Sequence, residues 1–155
     1  MNKQTGDHLS LFVFIVVMVP LSLFWHELGH VIGGKLVRAT HITVTLGLGK
    51  PLFRLNVGNM TFDVRRIFFV HSLTETKKND SLSRREIVIV SMMGPLNSLV
   101  FGLCFYAVHQ LAMPCFVIYL MFLFNIWIGI INLLPFKWKS RHSDGYAIVK
   151  ALFFH

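Results

Sequence analysis

Residues 87–136 run for fifty positions without one Asp, Glu, Lys or Arg. A helix needs ~20 apolar residues to cross the hydrocarbon of a bilayer, so this stretch holds two crossings and a turn. His109, Gln110 and Pro114 mark the turn. A second uncharged run, LSLFVFIVVMVPLSLFW at 9–25, supplies a third crossing. The pattern predicts membrane helices over 9–34, 87–109 and 113–135. Composition agrees: 14% of residues are charged, against about 25% in a soluble domain.

Lys3 ahead of an apolar run imitates a secretory signal, but no small-residue cleavage site follows it. A retained anchor is expected. The net charge of +8 raises nucleic-acid binding, and its placement argues against it. Ten of the fifteen Lys and Arg lie between Lys35 and Arg85, four more follow from Lys137 onward, and the turn near residue 110 has none. Such a bias orients an integral protein of the cell membrane with its N-terminus outside and its C-terminus in the cytoplasm. The basic face is expected to meet water and the lipid bilayer, with no nucleic acid as partner.

Between the first two spans the period of the pattern changes. HITVTL at 41–46 alternates, a run at 51–57 reaches Gly58 and Asn59, and 60–70 alternates again. This predicts short strands or a hairpin, with LTETKKNDSLSRRE at 73–86 as a polar connector. The expected fold is one domain over 1–155. It is an all-α transmembrane bundle of three helices with a small membrane-associated β region at about 41–70.

The spans carry faces that should turn away from lipid. Gly94, Ser98 and Gly102 recur every four residues, a stripe that lets helices approach closely. Asn125, Gly129 and Asn132 share a face of the third span, and amides there are costly unless they point into protein. For Asn125, helix packing is the expected role. Cys104 and Cys115 are expected as small buried apolar side chains.

The first span ends in FWHELGHVIGG at 24–34. Histidines four apart on a helix stack on one face, so His26 and His30 can reach one Zn²⁺ with Glu27 beside it. Neutral imidazole suits zinc, and a free carboxylate can take a proton from water. If the helix continues to Lys35 near the interface, His26 lies ~13 Å inside it at 1.5 Å per residue. Ionisable groups at such depth are rare and mark function. A catalytic zinc takes three protein ligands. The third can be Asp144, just after the last span, or His142, which competes with it.

With these residues in view, the chain resembles the site-2 protease family of intramembrane zinc metalloproteases. The resemblance rests on HELGH at 26–30, GLGKPLF at 47–53, MGPLNS at 93–98, and NLLP at 132–135 followed by DG at 144–145. It implies His26, His30 and Asp144 as ligands of a Zn²⁺ cofactor. It implies Glu27 as the general base that activates water for attack on a peptide carbonyl. Asn132 would position the substrate strand or polarise the scissile group, or else cap its span. The strands around 52–70 would receive an unwound substrate by edge pairing. The pattern departs from the family in two places. Ser98 stands where the family commonly has asparagine, with Asn97 adjacent, and the basic insert FKWKSRHS lengthens the path to Asp144.

The function expected from this resemblance is zinc-dependent endoproteolysis of a membrane-anchored protein or peptide near the cytoplasmic face. It would serve regulated proteolysis or peptide maturation. Recognition would fall to the core itself or to a regulatory membrane partner. The alternative is a non-proteolytic zinc-binding membrane protein acting as chaperone or regulatory partner, which would have no use for Glu27.

Overall fold

The computed structural model describes residue 8, residues 11–138 and residues 141–154. Lys3, Asp7, the first two residues of the expected 9–34 span, and two residues of the basic insert lie outside the described residues. Among the described residues, three helices are long and apolar enough to cross a membrane: Leu11–Leu36, Arg84–Leu111 and Phe116–Leu133. The segment between the first two carries the expected β region, so the layout agrees and all-α holds only for the spans.

The first crossing begins irregularly. Phe14–Met18 is π-helical, with the N–H of Val19 donating to Phe14 O, and α1 then runs Val19–Leu36. Pro20 occupies the first turn of α1, and a proline has no N–H to return to the preceding turn. The wider π turn carries the chain across that gap.

β1 (His41–Val57) and β2 (Met60–Lys77) form a two-stranded antiparallel sheet. The expected turn at Gly58 is present, with φ of 59°. The strands are longer than expected because each is bent. Gly47 and Gly49, at φ 93° and 86°, make the bend in β1, a conformation that Cβ-bearing residues resist. As a result, 42–46 is paired on both sides: Ile42 lies opposite Met60 on one side and Thr76 on the other. Residues 73–77, expected as the start of the polar connector at 73–86, continue β2 to Lys77, and among the described residues one edge of 72–77 is unpaired. The β region thus extends past the expected 41–70 to Lys77.

The sheet is fastened under α1 by a small apolar core. Val31, Ala39, Ile42 and Val44 are buried together, with Leu46, Met60 and Phe62 packed around them. Gly34 admits the Ile42 side chain, and Phe24 lies against Phe62.

α2 (Arg84–Leu111) starts in a capping box. Ser83 accepts from the Glu86 N–H, and the Glu86 carboxylate accepts from the Ser83 N–H, which satisfies orphan donors of the first turn. Glu86 also pairs with Lys78. α3 (Phe116–Leu133) follows the turn, where the Cys115 N–H donates to His109 Nδ1. Cys104 is exposed on α2 and Cys115 half-buried, so the expected burial fails for Cys104. It lies on the outer face of its helix, where a small apolar thiol suits lipid as well as a core.

Asn125 is fully buried and donates to Ser22 Oγ and Met121 O, joining α3 to α1 as its packing role requires. The insert after α3 folds into a two-residue hairpin, β3 (Lys137–Trp138) against β4 (Arg141–His142). α4 (Asp144–Phe153) follows at once.

Candidate metal centre

The HELGH helix is held face to face with α2 by missing side chains. A Cβ on Gly29 would strike the Met93 carbonyl, and a Cβ on Gly94 would strike the His30 imidazole. The small-residue stripe therefore seats a histidine ring as well as allowing the helices to approach. His26 and His30 are both buried, at 5% and 8% exposure, inside a crossing where an unpaired polar group is costly.

Each imidazole is fixed by its second nitrogen. His30 Nδ1 lies 2.8 Å from the Val90 carbonyl. A carbonyl only accepts, so Nδ1 carries the proton, and Nε2 of the neutral ring is a bare lone pair. His26 Nδ1 lies 2.9 Å from Ser98 Oγ, and Ser98 is fully buried. When Nδ1 donates there, Nε2 is bare as well.

Asp144 reaches both rings from the far end of the chain. His26 Nε2 is 3.3 Å from Asp144 Oδ2, His30 Nε2 is 3.3 Å from Oδ1, and the two Nε2 atoms are 3.2 Å apart. Burial pushes the Asp144 carboxyl up, but its contacts with His26 and His30 more than reverse this and hold it below the usual carboxylate range. It is an anion at neutral pH. Among the described residues, His26, His30 and Asp144 form a group whose donor atoms all lie within 4.8 Å of one another. Tetrahedral zinc with bonds of ~2.0–2.1 Å to N and O spaces its ligand atoms ~3.3 Å apart. The donor set and its spacing fit that ion. His142 is outside the group and stacks on Tyr146 instead.

The long insert still delivers Asp144 because Ser143 closes the loop. Its N–H donates to Phe136 O, its hydroxyl donates to Leu134 O at 2.6 Å, and the same oxygen accepts from the N–H groups of Phe136 and Tyr146. Ser143 is thus both a strap to the end of α3 and the N-cap of α4. Gly145 completes the seat: its Cα faces the Leu133 carbonyl so closely that a Cβ would collide with it. The glycine of the DG pair is required by this approach.

Glu27 is buried beside the histidines and accepts from Thr74 Oγ1 at 2.5 Å. Thr74 stands on the free-edged segment of β2, and sequence reasoning missed it. The signal available was the alternation of Thr74 and Thr76 inside LTETK, obscured by its charge. Asn97 donates to the Trp25 carbonyl, one residue before His26. Asn132 donates to Ile128 O within α3 and lines the cavity near the metal group. Asn97 and Asn132 thus both have backbone partners, and Ser98 meets a histidine.

Two clefts meet at this cluster. One, about 280 Å³, is lined by Glu27, His30, Thr74, Asn132, His142 and Asp144 among others. The second, about 250 Å³, lies between α1 and α3 and is walled by Leu23, Phe124, Trp127, Ile128 and Ile131. His26, Glu27, Ser72 and Asn132 border both. An extended chain passing from one to the other would cross the face of the triad beside the 72–74 strand.

The family model described as peptidase family M50 matches residues 13–115. That span contains the HELGH helix, the sheet and all of α2; Asp144 lies beyond it. No curated protein matches the chain.

Proposed function

Because the chain belongs to peptidase family M50, and is thus a metal-dependent peptidase, we propose that it is a zinc-dependent intramembrane endopeptidase of the site-2 protease kind. Its substrate would be a membrane-anchored protein or peptide. The observation that carries this reading is the convergence of two imidazole nitrogens and one carboxylate at 3.2–3.3 Å, with Glu27 alongside. Two imidazole nitrogens and a carboxylate aimed at one buried point are a donor set suited to a shared cation.

His26, His30 and Asp144 would hold the ion, which supplies Lewis acidity to water and to a peptide carbonyl. The chain's own residues do the rest. Glu27 takes a proton from water in the cleft and returns it to the departing amine. Thr74 holds one Glu27 oxygen so that the carboxylate stays aimed. Ser98 and the Val90 carbonyl fix the imidazole tautomers, as partners of metal-bound histidines commonly do.

A helical substrate hides its peptide bonds, so it must unwind and find new backbone partners. The free edge at 72–76 offers them by strand addition. It borders the cluster, which makes it a better receiver than the 52–70 strands. The Lys and Arg bias supports a cytoplasmic C-terminus and edge, and cleavage would then fall near that face.

The test compares membrane proteins and released peptides in cells carrying wild-type or Glu27→Gln protein. Glu27→Gln should keep zinc and lose at least ~100-fold in cleavage, the usual scale for removing a general base. Cleavage by a zinc-loaded Glu27→Gln protein would overturn the mechanism. A protein with zinc and no peptide product in either form would favour the non-proteolytic alternative.

A further inference from the structure

α4 borders the cleft of about 280 Å³ through Asp144 and Ala147, and beyond them its surface is unusual for a helix meeting water. Leu152, Phe153 and Phe154 are 55%, 74% and 64% exposed. Lys150 is exposed one turn before Phe154. Against α4 rests the first turn of α2, where Arg84 and Arg85 are exposed just as the span begins.

Two furrows flank this contact. The first, about 350 Å³, is lined by Arg84, Ile87, Tyr146, Lys150, Ala151 and Phe154, among others. The second, about 420 Å³, is lined by Arg84, Arg85, Val88, Ile89, Ala151 and Leu152. They share Arg84 and Ala151, so they diverge from a common cationic point. Along α2 the charges come first and the apolar side chains follow, with Ile89 ~7.5 Å further along the helix than Arg84.

We propose that the two furrows are the binding site of one anionic diacyl phospholipid. Arg84, Arg85 and Lys150 hold its phosphate, and each furrow takes the upper part of one acyl chain. Cation above and hydrocarbon below is the order of groups in such a lipid. Among the described residues, neither furrow is lined by an acidic side chain. A second copy of the chain would bring the same cations against these and be repelled. The site also has a structural consequence. α4 has ten residues, too few to persist alone, and its first residue is Asp144. A lipid bridging Lys150 to Arg84 ties the helix that presents Asp144 to the start of α2.

The experiment uses the full chain in nanodiscs of phosphatidylcholine, with or without phosphatidylglycerol. Native mass spectrometry reads the retained lipid, and amide exchange reads residues 144–153. Wild type should retain phosphatidylglycerol over phosphatidylcholine and show slower exchange in α4 when it is present. The triple variant Arg84→Gln, Arg85→Gln, Lys150→Gln should lose about fivefold in retention per cation, ~100-fold together. Ile89→Trp leaves every charge in place and fills one furrow; Ile89 is already 41% exposed, so the helix should tolerate it. Phosphatidylglycerol retention should fall severalfold in this variant. Equal retention of the two lipids, or unchanged retention in Ile89→Trp, would overturn the proposal. So would protection of α4 by soluble glycerol phosphate alone, which would assign the cations to free phosphate.

Discussion

The two long faces of α1 are built on opposite plans. Toward α2 the contact is close: Gly29 lies on the Met93 carbonyl, Gly33 on Val90 and Gly94 under the His30 ring. Both histidines take their second hydrogen-bond partners from that side, at Val90 and Ser98. Toward α3 the contact is held above the metal group by Ser22 and Asn125. At the level of Glu27 it parts into a cleft of about 250 Å³ walled by Phe124 and Trp127. One helix thus presents a closely packed face that carries the proposed ligands and an open face that borders a cleft. Substitutions on the two faces should separate cleanly, with metal lost from one and substrate handling changed on the other.

The largest effect is expected from Gly94→Ala. The new methyl group would occupy the place of the His30 ring, and the ring can escape only by leaving the metal group. Purified protein should lose stoichiometric zinc while still inserting in the membrane. Zinc retained at full occupancy would show that the α1–α2 face yields, and the contrast between the faces would fail.

Ser98→Ala tests the same face more gently. The His26 ring stays in place but loses the partner that selects its tautomer. Loss of such a partner typically costs 10–100-fold in metal affinity, which chelator competition can read without any substrate. A larger loss in turnover than in affinity would move Ser98 from ligand support toward the substrate.

The ligand-holding face was the more legible in sequence. HELGH at 26–30 and DG at 144–145 name groups by type and spacing, and the structure brings His26, His30 and Asp144 together. The three spans were also legible, because uncharged length depends on local composition. What could not be read was long-range register. That Ser98 meets His26, seventy-two residues away, depends on how α1 and α2 slide past each other. The segment 72–77 was hidden for another reason. Its strand has a free edge and its alternating side chains are polar or charged, so it carries no apolar stripe to announce it. The bend at Gly47 and Gly49 then brings it beside β1 from twenty-five or more residues away, through pairs such as Val44 with Thr74.

Thr74→Val removes the hydrogen bond to Glu27 on that hidden strand and leaves every proposed ligand untouched. A hydrogen bond to a charged group is worth ~1.5–3 kcal/mol, and Thr74 is only half-buried where it lines the cleft, so the lower end applies. A fall of about tenfold in kcat with zinc affinity unchanged is expected. Equal falls in kcat and in zinc affinity would mean that Thr74 supports the whole site rather than the base.

The smallest effect belongs to the open face. Trp127 is 57% exposed, so Trp127→Ala removes little packing and should leave stability and zinc affinity near wild type. It enlarges the apolar end of the cleft, whose other walls, Leu23, Phe124, Ile128 and Ile131, remain. A substrate side chain seated there loses contact in proportion to its size, while a small one loses almost nothing. An enclosed apolar pocket discriminates by ~10-fold per methylene at the low end, and a half-open wall should give less. The expected outcome is a severalfold fall in kcat/KM for substrates with a large apolar residue next to the scissile bond, and no change for those with alanine there. A uniform fall across both would place Trp127 in the frame of the bundle, and a loss of zinc would join the two faces that the structure keeps apart.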